Sequence, residues 1–247
     1  MPLGFGRSGI NFFVLCCTLV ALYLRSTMHE TEAFEKLQET DGKKPKSRLV
    51  ALLNHRKEVA VVAALTMGGT VAFYTFTTYA QKFLVNTVNL SRNSATLVMF
   101  SALLIYALLQ PLYGWLSDRI GRRPMLIAFG VTGVLFTVPL LTALSTAGSA
   151  TAAFVFIMLS LLIVSNYTAI NAIVKAELFP ASIRALGVGF PYAVTVAVFG
   201  GTAETVALWL KKAGHETWYY WYVTFCILVS LLVFVTMKET KGSLDET

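Results

Sequence analysis

One carboxylate lies alone inside a long apolar stretch of this 247-residue chain. Glu204 is the only charged residue between Arg184 and Lys211. A carboxylate in apolar surroundings is costly to ionise, so it can bind and release a proton. Exposure at the outer interface, or a pair with Lys211 on nearly the same helical face, would satisfy Glu204 equally well. The sequence therefore predicts either a proton-binding site or an ion pair there.

Uncharged polar side chains in other apolar stretches are candidates for contact with a solute. Tyr74, Asn166 and Asn171 can hydrogen-bond a polar solute, and they can also bridge neighbouring helices. Both interpretations stay open, because the spacing of these residues does not show which side of a helix faces a cavity.

The side chains of common enzymes do not form a set in this sequence. His29, His55 and His215 are scattered, and the three cysteines have no metal-ligand spacing. No glycine-rich phosphate-binding loop is present either. We therefore expect no enzyme activity, no metal and no cofactor.

The composition identifies the solvent that most of the chain faces. Hydrophobic residues make up 56% of the chain and charged residues only 13%, against roughly 25% charged in soluble domains. The charges are clustered, and the runs between clusters are long enough for helices that cross a bilayer. The sequence predicts an all-α integral membrane protein with about seven transmembrane helices. Its predicted parts are a first transmembrane helix at 1–24, a basic linker with a short surface helix at 25–57, six helices at 58–237, and a tail at 238–247.

The basic residues predict the orientation. Fifteen Lys and Arg fall on one side of the predicted spans and five on the other. The richer side holds the linker, loop 117–124, loop 174–184 with Lys175, and the tail, so we expect it in the cytoplasm and the N-terminus outside. The net charge of +7 therefore reflects the orientation of the chain in its partner, the lipid bilayer. A nucleic-acid partner is not needed to explain it. Residues 43–48 are either a contact for anionic headgroups or a solvated connector.

A short repeat suggests how the spans are organised. Thr27-Met-His-Glu-Thr31 and Thr236-Met-Lys-Glu-Thr240 match at four of five positions, each just after a predicted span. Such an echo is typical of duplicated units. We interpret the chain as one six-helix repeat preceded by the last helix of another, which predicts a truncated chain that lacks an N-terminal half.

The most specific motif joins the third and fourth predicted spans. Gly114 is expected to allow close helix approach, and Gly121 to permit a tight turn. Asp118 can offer its carboxylate to a neighbouring helix N-terminus, and the arginines can pair with acids on facing loops. The complete motif is Gly114-x-x-x-Asp118-Arg119-x-Gly121-Arg122-Arg123-Pro124.

This motif resembles the signature loop of the major facilitator superfamily. The segment Ala176-Glu-Leu-Phe-Pro-Ala-Ser-Ile-Arg-Ala-Leu-Gly-Val-Gly189 is similar to the metabolite:proton symporter branch. The resemblance implies two six-helix halves with a solute bound between them. It also implies that Asp118 and Arg122 form a cytoplasmic latch, with Glu177 and Arg184 as partners across the loops.

Together, these observations predict a secondary active transporter. We expect proton-coupled symport of a small organic acid or zwitterion across the inner membrane, with the solute, protons and a missing N-terminal half as partners. A transport-inactive membrane fragment and a membrane scaffold without a solute are the alternatives.

Overall fold

The computed structural model describes residues 18–20, 22–23, 55–180 and 183–241. Within them are six helices that are long and apolar enough to cross a membrane, which confirms the all-α membrane fold. The contacts divide the chain into two units, Met1–Lys44 and Pro45–Thr247, and all six helices belong to the second. The helices are α1 (Arg56–Asn86), α2 (Arg92–Ile120), α3 (Arg122–Ser145), α4 (Ala150–Glu177), α5 (Arg184–Lys212) and α6 (Glu216–Thr236).

Two predicted elements fall where little can be described. Of the predicted first span, residues 18–20 and 22–23 are described, and these are helical. The predicted surface helix and the basic run of the linker lie outside the described residues.

Short polar residues set where several helices begin. The Ser91 hydroxyl accepts the backbone N–H of Ser94 at 3.1 Å and caps α2. Ser149 caps α4 in the same way, through the N–H of Ala152 at 3.1 Å. These side chains satisfy N–H groups that the first turn of a helix leaves without partners.

The six helices pack around α6 and α4. Helix α6 lies along both α1 and α3, α4 packs against α2 and α3, and α5 packs mainly against α1. Helices α2 and α5 are the least buried of the six. Large apolar side chains at helical spacing are exposed on the outward side of α2: Leu97, Phe100, Leu104 and Leu108.

A small residue allows α1 and α6 to approach closely. A Cβ atom at Gly68 would lie 2.5 Å from the Cys226 carbonyl oxygen. The Gly68 N–H donates to Ser230 Oγ at 2.9 Å, and that hydroxyl donates to the Ala64 carbonyl at 2.6 Å. Small residues and interhelical hydrogen bonds of this kind stabilise contacts between membrane helices.

We predict that Gly68→Ala destabilises the bundle by about 1–3 kcal/mol, because the added methyl group would overlap the backbone of α6. Thermal unfolding of the purified protein in detergent, followed by circular dichroism, measures the effect. The matched control is Gly201→Ala, since the Cβ position of this helical glycine has no described atom within 4 Å. Equal unfolding temperatures for the two variants would contradict the prediction.

Candidate functional site

Three helices lose their regular geometry beside one cavity. Helix α1 contains a π-helical turn at Thr75–Tyr79, and α5 contains one at Val196–Gly200. Helix α4 is interrupted between Thr168 and Asn171. In a bilayer, backbone groups released by such irregularities are tolerated where they face protein or a cavity. Single π-helical turns are also frequent at functional sites.

The cavity lies between α1, α4 and α5 and has a volume of about 260 Å³. Its wall includes residues next to each irregularity: Tyr74 on α1, Thr168 and Asn171 on α4, and Val196 on α5. Hydroxyl and amide groups make up much of this wall, so the cavity suits a small polar molecule. The complete lining is Thr70, Phe73, Tyr74, Tyr167, Thr168, Asn171, Tyr192 and Val196.

Two contacts fix the shape of the wall. The Asn171 amide donates to the Thr168 carbonyl at 2.8 Å, across the interruption in α4. On the opposite wall, a Cβ atom at Gly200 would lie 2.7 Å from the Tyr74 ring. The absence of a side chain at position 200 therefore leaves room for that ring.

A lysine lies directly behind this wall. Lys175 is 1% exposed, and its Nζ donates to Asn171 Oδ1 at 3.0 Å and to the Tyr167 hydroxyl at 3.4 Å. Nζ also lies 4.2 Å from the centroid of the Tyr192 ring, which is a cation–π contact. The placement of Lys175 in a loop at 174–184 is therefore wrong, because α4 resumes after its interruption and continues to Glu177.

The cavity includes two of the three uncharged candidates. Tyr74 and Asn171 line it together. Asn166 instead lines a separate cavity of about 360 Å³ formed by residues of α2, α3 and α4. Its amide donates to the carbonyls of Leu162 at 3.1 Å and Ile163 at 3.2 Å, within its own helix.

Glu204 lies in an ion pair at the end of the bundle opposite the signature loop. Its carboxylate contacts the ammonium of Lys82 on α1, and its side chain is 30% exposed. The partner expected from the sequence, Lys211, lies instead 3.4 Å from Glu216 and donates to the Asn86 carbonyl at 2.9 Å. Because α1 continues to Asn86, Lys82 is also inside a span, so Glu204 is not the only charged residue within the spans.

At the other end, which we call the signature end, α3 and α6 cap each other. The Glu239 carboxylate accepts the backbone N–H groups of Arg122 at 2.9 Å and Arg123 at 3.1 Å, at the start of α3. The Arg123 guanidinium in turn donates to the carbonyls of Val235 at 2.6 Å and Phe234 at 3.3 Å, at the end of α6. Each charge has the sign that stabilises the helix end it contacts.

Backbone donors set the protonation of Glu239. Burial acts to raise its pKa, but the N–H groups of Arg122, Lys241, Arg123 and Thr240 outweigh burial. The pKa of Glu239 therefore lies below its ordinary value, and the carboxylate stays ionised at neutral pH.

Arg122 connects this cap to the end of α4. Its Nη1 donates to Asp118 Oδ1 at 2.6 Å and to Ser117 Oγ at 2.8 Å. Its buried Nε has no hydrogen-bond partner among the described residues and lies 3.7 Å from Glu177 Oε1. Glu177, whose side chain is 2% exposed, also accepts the Thr240 hydroxyl at 2.6 Å. The α2–α3 loop and the ends of α4 and α6 thus meet in one cluster.

Other signature residues have different surroundings. Gly121 has a φ of +102°, which agrees with the expected turn. No described atom lies within 4 Å of a Cβ built at Gly114, so the close helix approach expected there stays a prediction. Arg119 stacks over Trp115 at 4.0 Å, and Arg184 Nε donates to the Phe179 carbonyl at 3.1 Å.

The expected contact of Asp118 with a neighbouring helix N-terminus stays a prediction. Asp118 lies one turn before Arg122 and accepts a hydrogen bond from its guanidinium. The hydrogen bonds from the N–H groups at the start of α3 go to Glu239 instead. Sequence reasoning missed Glu239, Thr240 and Lys175. The echo Thr236-Met-Lys-Glu-Thr240 contains the first two, but the repeat itself indicates duplication and not a contact with α3.

Comparison with known proteins agrees with this architecture. Residues 20–246 match the family described as sugar (and other) transporter. The chain belongs to this family. The match confirms the resemblance of the signature loop to the major facilitator superfamily. The family and the relatives that match this chain are transporters rather than enzymes. No solved structure gives a significant match.

Named relatives of this transporter family carry organic acids and zwitterions. The chain is 49% identical over 224 residues to the alpha-ketoglutarate permease of Escherichia coli, which covers 91% of this chain and 51% of the permease. It is 29% identical over 244 residues to the glycine betaine/proline/ectoine/pipecolic acid transporter OusA of Dickeya dadantii, covering 94% and 48%. The Escherichia coli shikimate transporter is 27% identical over 233 residues, covering 93% and 53%. The chain thus spans about half the length of the curated relatives it matches.

We predict that Glu239→Gln destabilises this transporter-family fold by about 0.5–1 kcal/mol at pH 7, because it removes an exposed anion from the start of α3. The folded pKa of Glu239 is lowered, so its contribution is present above the unfolded Glu pKa of about 4.3 and is lost as the pH falls through the folded value.

The measurement is the difference in unfolding temperature between wild type and Glu239→Gln across a pH series. The difference is expected to shrink under acidic conditions. Glu58→Gln is the control, since the described ion pair of this carboxylate is with His55 at 3.7 Å. A difference that stays constant with pH would contradict the role of the ionised carboxylate.

Proposed function

We propose that this chain carries a small carboxylate-containing metabolite across the inner membrane, coupled to protons. The observation that supports this most strongly is the convergence of three irregular helices on one cavity with polar walls. Interrupted helices that line a central site are a recurring feature of secondary transporters.

The substrate class is supported by what the relatives share. Alpha-ketoglutarate, proline, glycine betaine and shikimate, which appear in the names of relatives, all contain a carboxylate. A cavity of about 260 Å³ is equivalent to about nine water molecules in volume, which suits a metabolite of this size.

The proposal includes a second six-helix half. In this proposal the solute lies between the two halves, and the weakly buried helices α2 and α5 face the second half. The signature end faces the cytoplasm, in keeping with the excess of Lys and Arg on that side of the sequence. The cluster of Asp118, Arg122, Glu177 and Thr240 then acts as the latch that holds this end of the half together.

Uptake into proteoliposomes tests the proposal. The chain is reconstituted alone and together with the unmatched half of the Escherichia coli alpha-ketoglutarate permease, and an inward proton gradient is imposed. We expect the combined halves to accumulate radiolabelled 2-oxoglutarate, proline or shikimate, and a protonophore to abolish the accumulation. Correctly inserted protein without uptake of any of the three would favour the membrane scaffold.

Glu204 is our candidate for the coupling proton. If its carboxylate carries that proton, Glu204→Gln uncouples uptake from the proton gradient but preserves exchange of solute across the membrane. Lys82→Gln is the matched control, because it breaks the same ion pair and keeps the carboxylate. Identical effects of the two variants would assign Glu204 to an ion pair alone.

A further inference from the structure

Lys175 is a buried lysine without a described counter-ion. None of the ion pairs among the described residues includes it, although its side chain is almost completely inaccessible. A charged group in the membrane interior is costly unless it is paired, and such groups commonly mark the path of a substrate or an ion.

The neighbours of Lys175 satisfy its hydrogen bonds but not its charge. Asn171 Oδ1 and the Tyr167 hydroxyl accept two N–H groups, and the Tyr192 ring faces the ammonium. All of these partners are neutral. An ammonium has three donors, so these contacts hold it in place while leaving a net positive charge.

The same neighbours are shared with the cavity. Tyr167, Asn171 and Tyr192 all line it, so the ammonium is separated from the cavity by no more than the side chains that hold it. Because the surroundings screen charge poorly, the ammonium acts strongly on any charge that enters the cavity. The sign favours an anion.

We infer that Lys175 provides the counter-charge for a carboxylate of the solute bound in the cavity between α1, α4 and α5. Asn171 is the positioning residue, since its amide bonds both the Thr168 carbonyl and the ammonium. This inference rests on the proposed function and extends it from a polar cavity to an anion-selective one.

Binding to the chain purified together with the unmatched half of the Escherichia coli alpha-ketoglutarate permease, measured by isothermal titration calorimetry, tests the inference. The probes are 2-oxoglutarate and its two monoamides, each of which replaces one carboxylate by a neutral group of similar shape. Wild type is expected to bind 2-oxoglutarate about 30-fold more tightly than at least one monoamide, the low end for the loss of one partner of a buried charge pair.

Lys175→Gln and Lys175→Met are expected to bind 2-oxoglutarate about 30-fold more weakly and to lose the preference over that monoamide. Both variants are expected to remain folded, because each removes a costly buried charge that has no described counter-ion and keeps an unbranched side chain in its place. Lys212→Gln, which removes an exposed lysine at the end of α5, is expected to bind like wild type.

A preference for 2-oxoglutarate that survives in both Lys175 variants would overturn the inference. So would a wild type that binds the acid and both monoamides equally. Uptake in proteoliposomes separates this failure from failure of the proposed function: transport that does not depend on Lys175 contradicts only the inference. Selective, Lys175-dependent binding without uptake supports the inference and contradicts transport.

Discussion

The need to satisfy backbone hydrogen bonds in lipid governs this structure. A helix meets that need within its own segment, which explains why the described spans are helices and why each begins or ends near charged residues or small polar caps. Departures from regular geometry require a compensating partner. The interruption in α4 has one, because the Asn171 amide bonds the Thr168 carbonyl. The departures in α1, α4 and α5 lie beside one shared cavity.

The signature end applies the same requirement to helix termini. Glu239 supplies an acceptor to the free N–H groups of α3, and Arg123 supplies donors to the last carbonyls of α6. Since the two residues belong to different helices, each satisfies the other's terminus only when α3 and α6 are correctly aligned. At this end, the hydrogen bonds of the helix termini therefore form only together with the correct alignment of α3 and α6.

The sequence was most informative about the helices and least informative about contacts between them. Charge-free runs located all six described spans, and the segment after Ser145 separated α3 from α4. Counting the residues between charges failed at Lys175. This method ends each predicted span at the first charged residue, so it cannot recognise a charged residue that is buried inside a span. Spacing also could not show that Asn166 lies apart from Asn171, or that Glu239 reaches α3 from 117 residues away. Those facts depend on the rotation and alignment of helices, which local patterns do not encode.

The contact between Gly200 and Tyr74 links the position of a helix to the size of the cavity. With no side chain between them, the backbone of α5 lies directly against the Tyr74 ring, and that ring forms part of the wall. Rigid neighbours of this kind transmit displacement, because close-packed interiors compress very little. A small tilt of α5 toward α1 therefore narrows the chamber, and a tilt away widens it. The position of α5 and the internal volume of the cavity are thereby coupled through the Tyr74 ring.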